Sequence, residues 1–133
     1  MITDELKKIL PEDRIKTRQI DLVSYAADAG FYYLLPKAVV QPVNETEVAG
    51  LFKFSQAAGI PLVFRTGGTS LSGQSITDGV LVDLSRFWNR ITIEEEGNRV
   101  RVQPGITGAM VNARLKQFKR KIGPDPSSIN AAI

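Results

Sequence analysis

Between Ala38 and Arg65 the chain passes from an apolar run to a helical repeat and back, and both changes are punctuated. Lys37-Ala38-Val39-Val40-Gln41 is a short apolar run stopped by Pro42, as expected of a buried strand. Asn44 followed by Glu47 is an N-cap with an acid three residues on, the spacing of a capping box. Val48, Leu51, Phe52 and Ser55 then recur at helical spacing, and Gly59 is placed to close the helix. Leu62-Val63-Phe64 resumes as a strand. Residues 38 to 65 are therefore predicted to form a βαβ unit with parallel strands and a right-handed crossover.

The flanking chain supplies more elements of both kinds. Residues 3 to 10 read as a short amphipathic helix capped by Thr3, with Asp4 and Glu5 near its positive end. A second helical stretch is expected from Asp21 to Ala29, closed by Gly30. Asp78-Gly79 is a turn into the strand Val80-Leu81-Val82-Asp83-Leu84. Ile91 and Ile93 alternate with polar residues, as do Val100 and Val102, and Gly97-Asn98 between them predicts a hairpin. After the Pro104-Gly105 turn, Thr107 caps a helix that puts Val111, Leu115 and Phe118 on one face. No repeat, linker or low-complexity segment interrupts the pattern. With 133 residues and 43% hydrophobic content, the expectation is one α+β domain with its own core.

Composition narrows the chemistry. The chain has no cysteine and no histidine, which excludes a disulfide framework, a zinc cluster or an iron–sulfur ligand set within it. It also removes the commonest general base. No catalytic residue and no metal ligand is assigned. A formal net charge of +3 is too mild to argue for nucleic acid. The basic residues Arg114, Lys116, Lys119, Arg120 and Lys121 lack interleaved aromatics and read as a solvated helix face. Glu94, Glu95 and Glu96 read as a hairpin rim, and Tyr25, Phe31, Tyr32 and Tyr33 as packing residues at the core edge. The N-terminal MITDELKKIL is neither a signal peptide nor a transmembrane span, so a soluble, cytoplasmic protein is expected.

The stretch RTGGTSLSGQ, from Arg65 to Gln74, is the best candidate site. Gly67, Gly68 and Gly73 permit backbone conformations closed to other residues and let a ligand approach main-chain N–H groups. Thr66, Thr69, Ser70 and Ser72 add hydroxyls, no acid is present, and Arg65 stands at the entrance. A strand end followed by such donors suits a phosphate or pyrophosphate; a glycine-rich surface turn is the alternative. Neither G-x-x-x-x-G-K-[ST] nor G-x-G-x-x-G opening a helix is present. Gly123-Pro124-Asp125-Pro126-Ser127-Ser128 is a stiff polar loop that, alone, reads as an ordinary helix exit.

Three segments together resemble one known family. They are YAADAGFYYLLPKAVVQPVNETEV, FRTGGTSLSGQSITDGVLVDLSRF and VQPGITGAMVNARLKQFKRKIGPDPSSINAA. In order and spacing they are similar to the PCMH-type FAD-binding domain of the vanillyl-alcohol oxidase and para-cresol methylhydroxylase superfamily. Within it they resemble the D-lactate dehydrogenase and glycolate oxidase subunit branch. The resemblance implies two α+β lobes with FAD extended between them, residues 32–105 as the first and 106–133 as the start of the second. It implies that Arg65, Thr66, Gly67, Gly68, Thr69, Ser70 and Leu71 wrap the pyrophosphate, with Gly73 and Gln74 close by. Pro104, Gly105, Pro124, Asp125, Ser127 and Ser128 would approach from the other lobe.

The same resemblance implies that the chain is the N-terminal part of a longer oxidoreductase, itself inactive as a piece. The whole protein would oxidise D-lactate or another D-2-hydroxy acid and pass electrons to a quinone, a cytochrome or an iron–sulfur centre, some relatives carrying an iron–sulfur domain further on. A peripheral place at the inner membrane is the alternative to a free cytoplasmic one. With no histidine or cysteine to attach it, the FAD is expected to be non-covalent. Two rival readings stay open: a non-catalytic nucleotide- or anion-binding module, and another FAD-linked oxidase of the superfamily.

Overall fold

A computed structural model describes residues 1–131. Its centre is a four-stranded sheet. The strands are β1 (Ile15–Lys16), β2 (Ala38–Val40), β3 (Leu62–Arg65) and β4 (Val80–Asp83), in the order β1-β2-β4-β3. β2 and β3 both run parallel to β4, while β1 is antiparallel to β2 on the edge. The predicted strand–helix–strand unit is present, with β2 and β3 parallel as expected. The two strands are not neighbours, however, because β4 lies between them, Val39 and Val63 both standing opposite Leu81.

Burial explains that insertion. All of β2 and all of β4 are buried, whereas every residue of β3 is only partly so. One face of the sheet carries Ala38, Val40, Val80, Val82 and Leu84 against Leu6, Leu10, Leu51 and Phe54. Val39 and Leu81 point to the other face, where Leu22, Tyr25 and Leu35 cover them. An unbroken apolar run from Val80 to Val82 suits a central parallel strand with helices on both sides. The helices are α1 (Ile2–Lys7) and α3 (Glu45–Ala58) on the first face, and α2 (Gln19–Ser24) on the second.

α3 is the best-specified helix. Asn44 Oδ1 accepts the Glu47 N–H at 2.9 Å, and Gly59 ends the helix at φ 63°. The Glu47 carboxylate does not close back on the Asn44 N–H. It accepts the Val43 N–H at 2.8 Å and binds both Arg14 guanidinium nitrogens at 2.7 and 2.6 Å, so the cap also pins the β1 edge. Two boundaries differ from expectation. α1 begins at Ile2, so Thr3 lies inside it, and the terminal amino group donates to Asp4 at 2.9 Å. α2 stops at Ser24 because the Tyr25 and Ala27 carbonyls are taken by Arg65 rather than by later helical N–H groups.

The predicted hairpin is β5 (Ile91–Glu94) and β6 (Arg99–Val102), with Ile91 opposite Val102. Its connection is a tight turn in which Glu95, Glu96 and Gly97 all have positive φ. α4 (Gly108–Leu115) is capped by Thr107 Oγ1, which accepts the Met110 N–H at 3.2 Å. Phe118 falls in a 3-10 turn beyond α4 and packs on Gly97. Ile91, Ile93, Val100 and Val102 share a core with Ile106, Val111 and Leu115, so the hairpin packs with α4 and not with the four-stranded sheet.

Candidate functional site

The carboxyl ends of the parallel strands meet the glycine-rich segment at one edge of the sheet, where α/β sheets commonly bind ligands. Beneath it lies a buried carboxylate. Asp83, 3% exposed, accepts the Tyr25 hydroxyl at 2.8 Å and the Gln41 amide at 2.9 Å on one oxygen. Its other oxygen accepts the Ser85 N–H at 2.9 Å and hydroxyl at 2.6 Å. Four donors satisfy a charge that burial would otherwise penalise. Burial, followed by the bond to Asp83, pushes the Tyr25 phenol up to about 12.

Arg65 closes β3 but does not reach outward. Its Nη1 donates to the carbonyls of Ala27 at 2.8 Å and Tyr25 at 3.3 Å, and its guanidinium lies 5.5 Å from the Tyr25 ring centroid. Gly68, at φ 65°, rests on that guanidinium, and a Cβ there would lie 2.5 Å from Nη2. Ser70 is the hub of the following turn. Its hydroxyl oxygen accepts the Ser72 and Gln74 N–H groups at 3.2 Å and the hydroxyl bonds Gln74 Oε1 at 2.5 Å. The Ser70 hydroxyl is thus used within the loop, leaving Thr66, Thr69 and Ser72 as the hydroxyls with no protein partner among the described residues.

Along the outer run the backbone is open. Among the described residues, the N–H groups of Gly67, Gly68, Thr69, Ser70 and Leu71 donate to no protein acceptor. Consecutive free N–H groups around a left-handed glycine form a concave donor surface that suits an oxygen-rich anion. The run itself contains no acid. An anionic diphosphate fits this donor set.

The other expected residues take varied places. The turn that continues from Pro126 through Ile129, held by the Ile129 N–H on the Pro126 carbonyl at 3.0 Å, leads to Ala131. A Cβ on Gly67 would lie 2.0 Å from the Ala131 carbonyl oxygen, so the segment following Pro124, Asp125, Ser127 and Ser128 reaches the glycine loop. Gly105 instead packs on the Leu84 and Trp88 carbonyls, beside the exit of β4, and Pro104 is exposed next to it. Gly73 sits at φ 74° against the Tyr32 ring. Phe31, Tyr32 and Tyr33 are not core residues: Phe31 is 103% exposed, and the other two are more than half exposed. The chain carrying them runs over the surface from α2 to β2 and leaves them outside the sheet.

Sequence reasoning passed over Asp28. Its Oδ1 accepts the Gly30 N–H at 2.8 Å, an Asx turn for which Asp-x-Gly is the signal. Oδ2 takes the Ser75 hydroxyl at 3.5 Å. The Gly30 N–H, with help from Ser70, Gly73 and Ser75, holds this carboxyl below the usual carboxylate range. Among the described residues, no group of three or more His, Cys, Asp or Glu side chains is arranged to hold a metal, and no helix is long and apolar enough to cross a membrane.

Comparison with known proteins identifies the family. A family model described as an FAD binding domain matches residues 36–133. A D-2-hydroxyglutarate dehydrogenase of Pantoea ananatis is 40% identical over 120 residues, covering 87% of this chain and 12% of that protein. Glycolate oxidase subunit GlcD of Escherichia coli is 29% identical over 126 residues, covering 92% of this chain and 25% of that one. The chain therefore spans a small part of the curated relatives it matches. Among solved structures, an alkyldihydroxyacetonephosphate synthase superposes with a TM-score of 0.84 at 18% identity, over 98% of this chain and 27% of that one. A p-cresol methylhydroxylase with substrate bound superposes at 0.69, also at 18% identity, over 89% of this chain and 24% of that one. At such identity these two establish the fold.

Proposed function

The chain belongs to the family of FAD binding domains, and on that premise we propose that its glycine-rich loop holds the FAD pyrophosphate. One observation carries the reading: the five consecutive N–H groups from Gly67 to Leu71 have no protein acceptor among the described residues. The hydroxyls of Thr66, Thr69 and Ser72 complete the donor set. Arg65 acts from behind, fixing Gly68 and adding a positive charge, while Gly73 and Gln74 shape the turn. On this reading the sheet with its helices is one lobe. That lobe runs over residues 32–105, and residues 106–133 with α4 begin the second; Pro104, Gly105, Pro124, Asp125, Ser127 and Ser128 approach the cofactor from that side. The FAD is held without a covalent bond.

The whole protein, on the same proposal, oxidises a D-2-hydroxy acid. The names of the dehydrogenase and oxidase relatives support that substrate class: D-2-hydroxyglutarate and D-lactate are its candidates, with glycolate as the achiral 2-hydroxy acid beside them. Bound FAD supplies the redox chemistry, taking a hydride from the substrate carbon that bears the hydroxyl. The residues described here bind and orient the cofactor; they move no proton in the reaction. Electrons then pass to a quinone, a cytochrome or an iron–sulfur centre, in a cytoplasmic protein.

The test is a visible absorption spectrum of the full-length protein, before and after anaerobic addition of each acid. A flavin spectrum that bleaches with one of them establishes the activity and names the substrate. A flavin that none bleaches keeps the cofactor and removes this substrate class. A colourless protein that FAD cannot reconstitute removes the pyrophosphate assignment and leaves an anion-binding or structural module.

A further inference from the structure

The chain between α2 and β2 crosses the surface as a strap, and it is fastened to the glycine-rich loop at several independent points. The Ala29 N–H donates to the Ser70 carbonyl at 3.1 Å. The Gly30 Cα is pressed on the Leu71 carbonyl, where a Cβ would lie 2.5 Å from the oxygen. Arg65 holds the Ala27 carbonyl at 2.8 Å, and the Tyr32 ring covers Gly73, with 3.3 Å between its edge and a Cβ built there. Asp28 stands in the middle of these contacts. One carboxylate oxygen binds the strap through the Gly30 N–H at 2.8 Å, and the other reaches the Ser75 hydroxyl at the far end of the loop at 3.5 Å.

We propose that Asp28 is a positioning residue for FAD: by ordering the strap through Gly30 and reaching the exit of the loop at Ser75, it helps hold the free N–H groups of Gly67 to Leu71 in the arrangement a pyrophosphate needs. The inference rests on the pyrophosphate reading of the loop. An acid beside an anion site would ordinarily weaken binding by repulsion. Here its oxygens are engaged by Gly30 and Ser75, and Arg65 fastens the neighbouring strap residue Ala27. Asp28 therefore acts through the backbone it orders and does not itself touch the ligand.

Loss of the acceptors should loosen the loop without dismantling the sheet, because the hydrogen bonds of Asp28 among the described residues go to Gly30 and Ser75 and not to core residues of β2 or β4. The experiment uses the full-length apoprotein, titrated with FAD and followed by flavin fluorescence, with ADP and AMP as competitors. Asp28→Ala is expected to weaken FAD about ten-fold, the worth of one charge-assisted hydrogen bond. Asp28→Asn keeps an acceptor for the Gly30 N–H and should stay within about three-fold of the natural protein. Gly30→Ala, which drives the strap off Leu71 from the other side, should match Asp28→Ala.

The decisive readout is the preference for ADP over AMP, since only ADP carries the diphosphate. The inference requires that preference to shrink in Asp28→Ala and Gly30→Ala. Unchanged FAD affinity in both variants, or an equal loss of ADP and AMP, would overturn it while leaving the pyrophosphate site standing. A natural protein that binds neither FAD nor ADP would overturn the underlying reading, and this inference with it.

Discussion

Gly68→Ala probes the loop through a contact that can be isolated energetically. At φ 65° an alanine sits in the left-handed region, which costs a non-glycine residue about 1 kcal/mol or somewhat more. The new Cβ would also lie 2.5 to 2.7 Å from the Arg65 Nη2, Cζ and Nε atoms. That clash is relieved only if the guanidinium swings away from the Tyr25 and Ala27 carbonyls. A charged donor leaving two carbonyls at a partly exposed site costs about 1.5 kcal/mol, the low end of the range for such bonds. Gly68→Ala should therefore cost about 2.5 kcal/mol, and Arg65→Ala alone about 1.5 kcal/mol. In the Arg65→Ala background there is no guanidinium to displace, so the glycine substitution should cost only its backbone strain, about 1 kcal/mol. Urea unfolding followed by circular dichroism measures all four corners of the cycle. The double variant should fall short of the sum of the singles by more than 1 kcal/mol. Additivity within about 0.5 kcal/mol would refute the claim that Arg65 and Gly68 support one another.

Leu51, fully buried beneath the sheet, should cost about 3 kcal/mol on truncation to alanine, read from the same urea transition. Glu47→Gln should flatten the acid limb of the stability profile. The bond to Arg14 lowers the folded carboxyl, so its contribution is complete above the unfolded value of about 4.5 and is lost as pH falls through the folded one. An acid limb of unchanged slope in this variant would contradict the assignment. Tyr25 is raised, so the stability it lends is present below the ordinary phenol value near 10 and disappears toward pH 12. Tyr25→Phe should remove the last phenolate step of a spectrophotometric titration. Gly105→Ala should cost about 3 kcal/mol, since its Cβ would meet the Leu84 and Trp88 carbonyls at 2.1 and 2.5 Å and backbone must move.

What was legible in the sequence was local. α3 announces itself through Asn44, Glu47 and Gly59, and the free donor run follows from the glycines after a strand. The strand order did not follow, because β2, β3 and β4 are all short and apolar, and only the completed packing decides which of them is central. Arg65 and Ser70 offer another lesson. A cation and a hydroxyl beside a glycine loop suggest ligand contacts, yet both are spent on neighbouring backbone. The exposed aromatics from Phe31 to Tyr33 were misread for a related reason: their hydrophobicity says nothing about a strap that runs outside the sheet. Asp28 carried a readable signal, the Asp-x-Gly turn, which the expectation of a helix through Ala29 concealed.

The place of β4 bears on how the chain leaves a ribosome. When the chain has emerged from the ribosome as far as Gly79, β2 and β3 are both outside, but the strand that joins them is not. Each then presents an unsatisfied row of peptide groups and apolar side chains to its surroundings or to another nascent chain. The glycine-rich segment lies in that same interval, so it acquires its shape only once Val80–Asp83 slides between its two partners. A chain ending just before Val80, or a pause that keeps Val80–Asp83 inside the ribosome, would leave both strand edges open at once.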